Sequence, residues 1–326
     1  MKKLQCSKIL KVITLFTLAN FLCSTACSTA YPQTYAGVPM PDGPQGPPFA
    51  NSPGAMKYDL LSYSSGSANS MGAFVPQTWP SHHVNNELQE YIPGAASQDS
   101  RTKEITITAK KESSRKITSA RLETYGLWTT ATSPQTKKRG YLEVRALLPA
   151  KTHGSSLKGA WPAIWMLGTG NGHDWPKHGE IDIVEVANGD PKLILTIHST
   201  NHNGGGGQHP PKNPLYLDAD LTQVPGIFGF EWNIQDEIDQ IDLTWWITHY
   251  DPSKGWTSEH TTKSLFSWNN SDYWDFFNSF DGEGFSLIVN LAEGGDFTGV
   301  HSYDETFVDG NPQHVVIKSA LVYGVD

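Results

Sequence analysis

The chain has 326 residues, 38% hydrophobic and 17% charged, which is globular composition sufficient for one large domain or two small ones. Its formal net charge is −9, a surface that repels nucleic acid and anionic membranes and favours a neutral substrate over a polyanion. All three cysteines, Cys6, Cys23 and Cys27, lie near the N-terminus.

The first segment has the order of a secretory signal peptide. Lys2, Lys3, Lys8 and Lys11 lead into the apolar run "VITLFTLANFL", followed by the small residues "CSTACSTA". The run is too short for a comfortable membrane span. Cleavage is expected after Ala30 or Ala26, with lipid attachment at Cys27 as the alternative. Removing residues 1–30 takes four lysines and no acid, leaving 20 Lys+Arg against 33 Asp+Glu, or −13. Cleavage after Ala30 also removes every cysteine, which excludes disulfides, a thiol nucleophile and thiolate metal sites. The mature protein is expected to be secreted or periplasmic, and monomeric.

Residues 31–55, "YPQTYAGVPMPDGPQGPPFANSPGA", are dense in Pro and Gly and read as a linker or extended arm. No second linker and no repeat follows, so residues 56–326 read as one domain. Within it, "EITITAK", "YLEVRALL", "LILTIHS", "IDLTWWITHY", "FSLIVNLA" and "HVVIKSALVYG" alternate or run apolar over strand lengths, separated by turn residues. No long stripe of period 3.6 interrupts them. The expected class is all-β, a two-sheet antiparallel sandwich of jelly-roll kind, with a β-propeller as the runner-up.

Alternation assigns faces. In "GYLEVRALLP", Leu142, Val144, Ala146 and Leu148 share the core side, and Glu143 and Arg145 point away from it together. In "FSLIVNLAEGG", Phe285, Leu287, Val289 and Leu291 share one side, and Asn290 lies on the other with Ser286 and Ile288. Of the adjacent Trp245 and Trp246, one faces in and one out.

"HGEIDIVEV" (178–186) sets Glu180, Asp182 and Glu185 among Ile181, Ile183, Val184 and Val186. Buried acids are costly unless paired or used. A regular strand points Glu180 and Asp182 to one face and Glu185 to the other. A one-residue β-bulge near Ile183–Val184 returns Glu185 to the first face. The two glutamates are then about 13 Å apart along the strand, and side chains leaning inward by about 4 Å each bring their carboxylates within roughly 5 Å, the separation for retaining glycoside hydrolysis. A solvated strand edge or a cation site remains open on the triplet alone, although calcium ligands usually come from a wrapping loop.

"EIDIVE" resembles the E-x-D-x-x-E signature of glycoside hydrolase family 16, the laminarinase-like group. "NNELQEY", "YLEVRALLP", "WPAIWMLG" and "NLAEGG" are similar to further family segments, in family order. The resemblance implies a β-jelly-roll with a concave sheet forming a glycan cleft, and retaining endo-cleavage of a β-glucan polysaccharide. It implies Glu180 as nucleophile, Glu185 as general acid/base and Asp182 tuning the nucleophile. It also implies Asn86, Glu143, Arg145, Trp161, Trp165, His198 and Asn290 as substrate-binding residues. Trp175, in the loop before the acids, is a candidate cap on a subsite. Relatives often carry a structural calcium on the convex side. Lys318 stands here where an Asp is usual, so no metal and no cofactor is expected. β-1,3-Glucan is the expected substrate, with a mixed-linkage glucan, a galactan or a non-catalytic glucan-binding role as alternatives.

Overall fold

The computed structural model describes residues 34–326 except 53–54, 64–65, 68, 125–137, 153–156, 170–174, 202–206, 270, 281–283, 308–309 and 325–326. The export segment therefore lies outside the described residues, as does part of the glycine-rich loop 201–214.

Two sheets carry the fold, antiparallel throughout except where Gln89–Tyr91 pairs in parallel with Lys116–Ser119. The seven-stranded sheet runs in the order Leu215–Tyr216, Lys192–His198, Glu180–Glu185, Ala160–Gly168, Phe285–Glu293, Arg121–Glu123, Val75–Pro76. The main path of the ten-stranded sheet runs Gly255–Phe266, Gln240–Asp251, Gly226–Gln235, Arg139–Leu147, Gln313–Gly324, Ile105–Ser113, Lys116–Ser119, Gln89–Tyr91. Met56–Asp59 pairs with Gln313–Gly324, and Ala96–Gln98 with Ile105–Ser113. The class is all-β, as the alternation predicts, and there are no propeller blades among the described residues. Among the described residues one α-helix, Ser271–Asn278, stands among the strands.

Alternation built the core. Leu142, Val144, Ala146 and Leu148 are buried from the ten-stranded sheet, and Phe285, Leu287, Val289 and Leu291 from the other, in a single apolar cluster. Trp245 faces in and is fully buried, while Trp246 faces out and stacks on His260. Packing large side chains between the sheets supplies the main stabilisation of a domain without disulfides.

Residues 34–51 lie across the outer face of the ten-stranded sheet. Arg145 donates to the carbonyls of Pro41 and Gly43, and the Gln45 amide donates to Glu143 Oε2 at 2.6 Å. Trp256 donates to the Pro39 carbonyl, and Phe49 receives the Arg139 guanidinium over its ring at 4.6 Å. Gly46 sits so close to Tyr141 that a Cβ would come within 2.2 Å of its ring. The Pro39, Pro41 and Gly43 carbonyls of this arm are satisfied by outward side chains of the sheet.

Candidate active site

The acids stand on Glu180–Glu185, in the middle of the seven-stranded sheet. Ile164 of the neighbouring strand pairs with Val184, but the next residue, Trp165, pairs with Asp182. Ile183 is the extra residue of a bulge, where the apolar pattern predicts one. On the other side the register slips between Asp182 and Glu185 as well. Ile181 and Val184 both remain fully buried, and Glu180, Asp182 and Glu185 all turn away from them. Trp245 reaches across the core from the other sheet and donates its indole N–H to the Asp182 carbonyl at 2.9 Å. That contact holds the backbone beside the bulge, where the ladder is interrupted.

Each glutamate receives one indole. Trp175 Nε1 donates to Glu180 Oε2 at 2.9 Å, and Trp161 Nε1 donates to Glu185 Oε1 at 2.9 Å. His198 Nε2 lies 3.7 Å from Glu180 Oε1 and 3.5 Å from Asp182 Oδ2. Burial raises the pKa of all three acids above the ordinary carboxylate range. The Asp182 charge raises Glu180 and Glu185 further, while His198 and the two indole N–H groups oppose the shift. One ligand atom each from Glu180, Asp182 and His198 lies within 4.8 Å of the others, so the same group is also a possible metal-binding set.

Around the acids the sheet presents aromatics and one cation. Trp161 lies against Phe297, centroids 4.9 Å apart, and Trp175 is 49% exposed beside His198. Trp165 donates to Asn290 Oδ1 at 2.7 Å. Arg121 places its guanidinium between the rings of Trp79 and Trp165, 4.4 and 4.6 Å from their centroids. The Glu87 carboxylate adds negative charge near Glu185.

The model of the "XgeA-like, catalytic GH16 domain" matches residues 145–213, which contain the acid strand, its two partners and their bulge. Over that stretch the chain is similar to the catalytic domain of glycoside hydrolase family 16. It is 28% identical over 243 residues to a glucan endo-1,3-beta-glucosidase of Cryptopygus antarcticus, covering 69% of this chain and 76% of that one. It is 28% identical over 272 residues to a beta-glucanase of Rhodothermus marinus, covering 76% and 79%. Among solved structures, the catalytic domain of a Thermotoga petrophila endo-1,3-beta-glucanase (laminarinase) shares 27% identity with a TM-score of 0.52, covering 77% of this chain and 90% of that one. The endo-1,3-beta-glucanase of Streptomyces sioyaensis, 21% identical, shares the fold with a TM-score of 0.58 over 84% of this chain and 98% of that one.

Of the residues that resemblance to family 16 singled out, Trp161, Trp165, His198 and Asn290 stand with the acids on one face of one sheet. Glu143 and Arg145 do not. Their strand belongs to the ten-stranded sheet, and their side chains pair with each other at 2.9 Å beneath residues 41–45. Alternation sorts the two faces of a strand but does not say to which sheet the strand belongs, so their outward direction is as expected and their location is not. Asn86 adopts a left-handed backbone (φ 53°) and donates to both oxygens of Asp296. It makes no hydrogen bond to the acids. Lys318 pairs with Glu104 at 2.9 Å and covers the Tyr35 ring. That arrangement is a cation already neutralised by its own acid, and it does not suit calcium. Arg121, Glu87 and Tyr91 carry no local signal of their place here: Glu87 and Tyr91 lie in "NNELQEY", but their links to Asn290 and Trp165 span remote stretches of the chain.

Proposed function

We propose that this chain is an endo-acting β-glucanase that cleaves β-1,3-glucan with retention. Supporting this reading above all is the bulge that sets Glu180 and Glu185 on either side of Asp182, on one face, with an indole donor on each. In this reading Glu180 is the nucleophile. Its carboxylate, oriented by Trp175, attacks the anomeric carbon as Glu185 delivers its proton to the departing glycosidic oxygen. A glycosyl ester on Glu180 results. Glu185, now ionised, takes a proton from water, and the hydroxyl attacks the same carbon and releases Glu180. Asp182 Oδ2 is buried and has no hydrogen-bond partner among the described residues. In this reading it shares a proton with a neighbouring carboxyl, which lowers the repulsion among three crowded acids. The exposed face of Trp175 offers a flat apolar surface suited to a neutral sugar ring.

Laminarin, lichenan and agarose, assayed for new reducing ends, test the substrate. Laminarin should be cut internally into short oligosaccharides, with the β-configuration kept at the new end. Faster cleavage of lichenan would assign a mixed-linkage glucanase, and cleavage of agarose alone would assign a galactanase. Glu185→Ala should lower kcat by about 10²- to 10⁴-fold, Glu180→Ala should abolish turnover, and azide should rescue one of the two. Hydrolysis unaffected by Glu180→Gln would overturn the enzymatic assignment.

Among the described residues no helix is long and apolar enough to cross a membrane. The basic–apolar–small order of residues 1–30 supports export, with the mature chain beginning at Tyr31 or Cys27. The intact mass of the protein recovered from its native host checks this, and a retained Met1 refutes it.

A further inference from the structure

We infer that Asn290 and Tyr91 are positioning residues that fix the plane of Trp165, making its ring a preset sugar platform beside the acids. The inference rests on the reading of this face as a glucan site. Trp165 is the cross-strand neighbour of Asp182, so whatever occupies the acids lies next to its ring. An indole on an open sheet face can rotate about two bonds, and ordering it on binding reduces affinity. Here three contacts remove that freedom in advance.

The first is the hydrogen bond from Trp165 Nε1 to Asn290 Oδ1, 2.7 Å. The second is behind Asn290, whose Nδ2 donates to Tyr91 Oη at 3.0 Å, and Tyr91 in turn donates to Glu87 Oε2 at 3.1 Å. Glu87 also accepts from Gln89 at 2.6 Å. The third is Arg121, only 4% exposed, which lies 4.6 Å from the Trp165 ring centroid and has Trp79 on its other side. Asn290 is paired with Arg121 across adjacent strands, so edge support and face support come from one local block.

The polarity of the chain is fixed. Trp165 can only donate. Asn290 must therefore present its oxygen to the indole and its amide to Tyr91, and the Tyr91 hydroxyl must accept from Asn290 and donate to Glu87. A flipped amide would break two bonds at once. Asn290 is 7% exposed and spends both polar ends on protein. It therefore acts on sugar through Trp165 and makes no hydrogen bond of its own to substrate. Trp165 likewise has no N–H to offer. It recognises by its face, unlike Trp161 and Trp175, whose N–H groups serve the acids.

The test uses full-length protein carrying Glu180→Gln, so that oligosaccharide binds without turnover, and reads laminarihexaose affinity by calorimetry. Adding Tyr91→Phe removes one hydroxyl and should weaken binding by roughly three- to tenfold, as expected for loss of a preset aromatic contact. Asn290→Ala should act in the same direction. In a Trp165→Phe background, where there is no indole N–H to orient, Tyr91→Phe should add nothing. A purely structural role would give the same loss in both backgrounds. Unchanged affinity in a natively folded Tyr91→Phe variant, or additive losses, would overturn the inference. If Asn290→Ala does not fold, the Tyr91→Phe pair decides alone. Failure of the Glu180→Gln parent to bind any laminari-oligosaccharide would instead remove the glucan reading itself.

Discussion

Two indole N–H groups divide the labour between the two glutamates. A donor to a carboxylate favours its ionised form, so each tryptophan opposes the upward shift that burial imposes. Losing Trp161's donor raises the Glu185 carboxyl further, so the acid keeps its proton to higher pH. Trp161→Phe should therefore move the alkaline limb of the kcat/KM profile upward. Losing Trp175's donor raises Glu180; in the proposed mechanism that group attacks as its anion, so Trp175→Phe should move the acid limb upward instead. Opposite limbs responding to the two variants would be read directly from pH–rate curves, and the same limb responding to both would contradict the assignment of roles. The gathering of the three acids on one face was legible from residues alone, because Glu180, Asp182 and Glu185 avoid the apolar side only if the strand carries a bulge. Glu87 and Arg121 were not. Nothing local distinguishes an isolated polar residue that meets its partner far along the chain, as Tyr91 meets Asn290 across 199 residues, from one that simply faces water.

At the scale of elements, alternation was informative within strands and silent between them. It placed Asn290 opposite Leu291, and it required a bulge before any register was known. It could not distinguish the outward face of the cleft sheet from that of the opposite sheet, and so Glu143 and Arg145 read as cleft residues. Their polar character has another cause: Glu143 is fully buried under the arm and needs a cation, and the arm's carbonyls need donors. Arg145→Ala leaves that carboxylate buried without its partner, which should cost about 3–5 kcal/mol. Urea unfolding should show the loss, while the KM of the folded fraction stays that of the parent. A raised KM with unchanged stability would return Arg145 to the cleft. The Pro/Gly composition of the arm was visible in the sequence, but its docking was not, since a chain that lacks ladder hydrogen bonds gives no sign of which surface will supply donors.

Across the whole molecule, stability depends on a core with little help from covalent links, and one acid sits inside it. Glu293 is fully buried, neither carboxyl oxygen has a hydrogen-bond partner among the described residues, and burial pushes its pKa well above the ordinary value. The folded state therefore holds a proton that the unfolded chain releases. Stability from this group is fully present below the ordinary glutamate pKa and is lost as pH rises from there towards the raised value. Glu293→Gln keeps the shape without the ionisation. Its urea midpoint should match the parent's below the ordinary glutamate pKa and exceed it at neutral and alkaline pH. A variant that runs parallel to the parent across the range would show that the group does not titrate with folding. The chain's excess of acids, 33 Asp+Glu against 24 Lys+Arg, favours solubility without deciding the fold.

The supernumerary Ile183 makes the length of the acid strand negotiable. Because the bulge adds a residue without adding extent, excising one position there yields E-x-D-x-E with plain alternation, and Glu180 and the second glutamate still meet over the same aspartate. A one-codon deletion that would invert every side chain beyond it in an ordinary strand should here be absorbed at a single joint, leaving the three acids on one face.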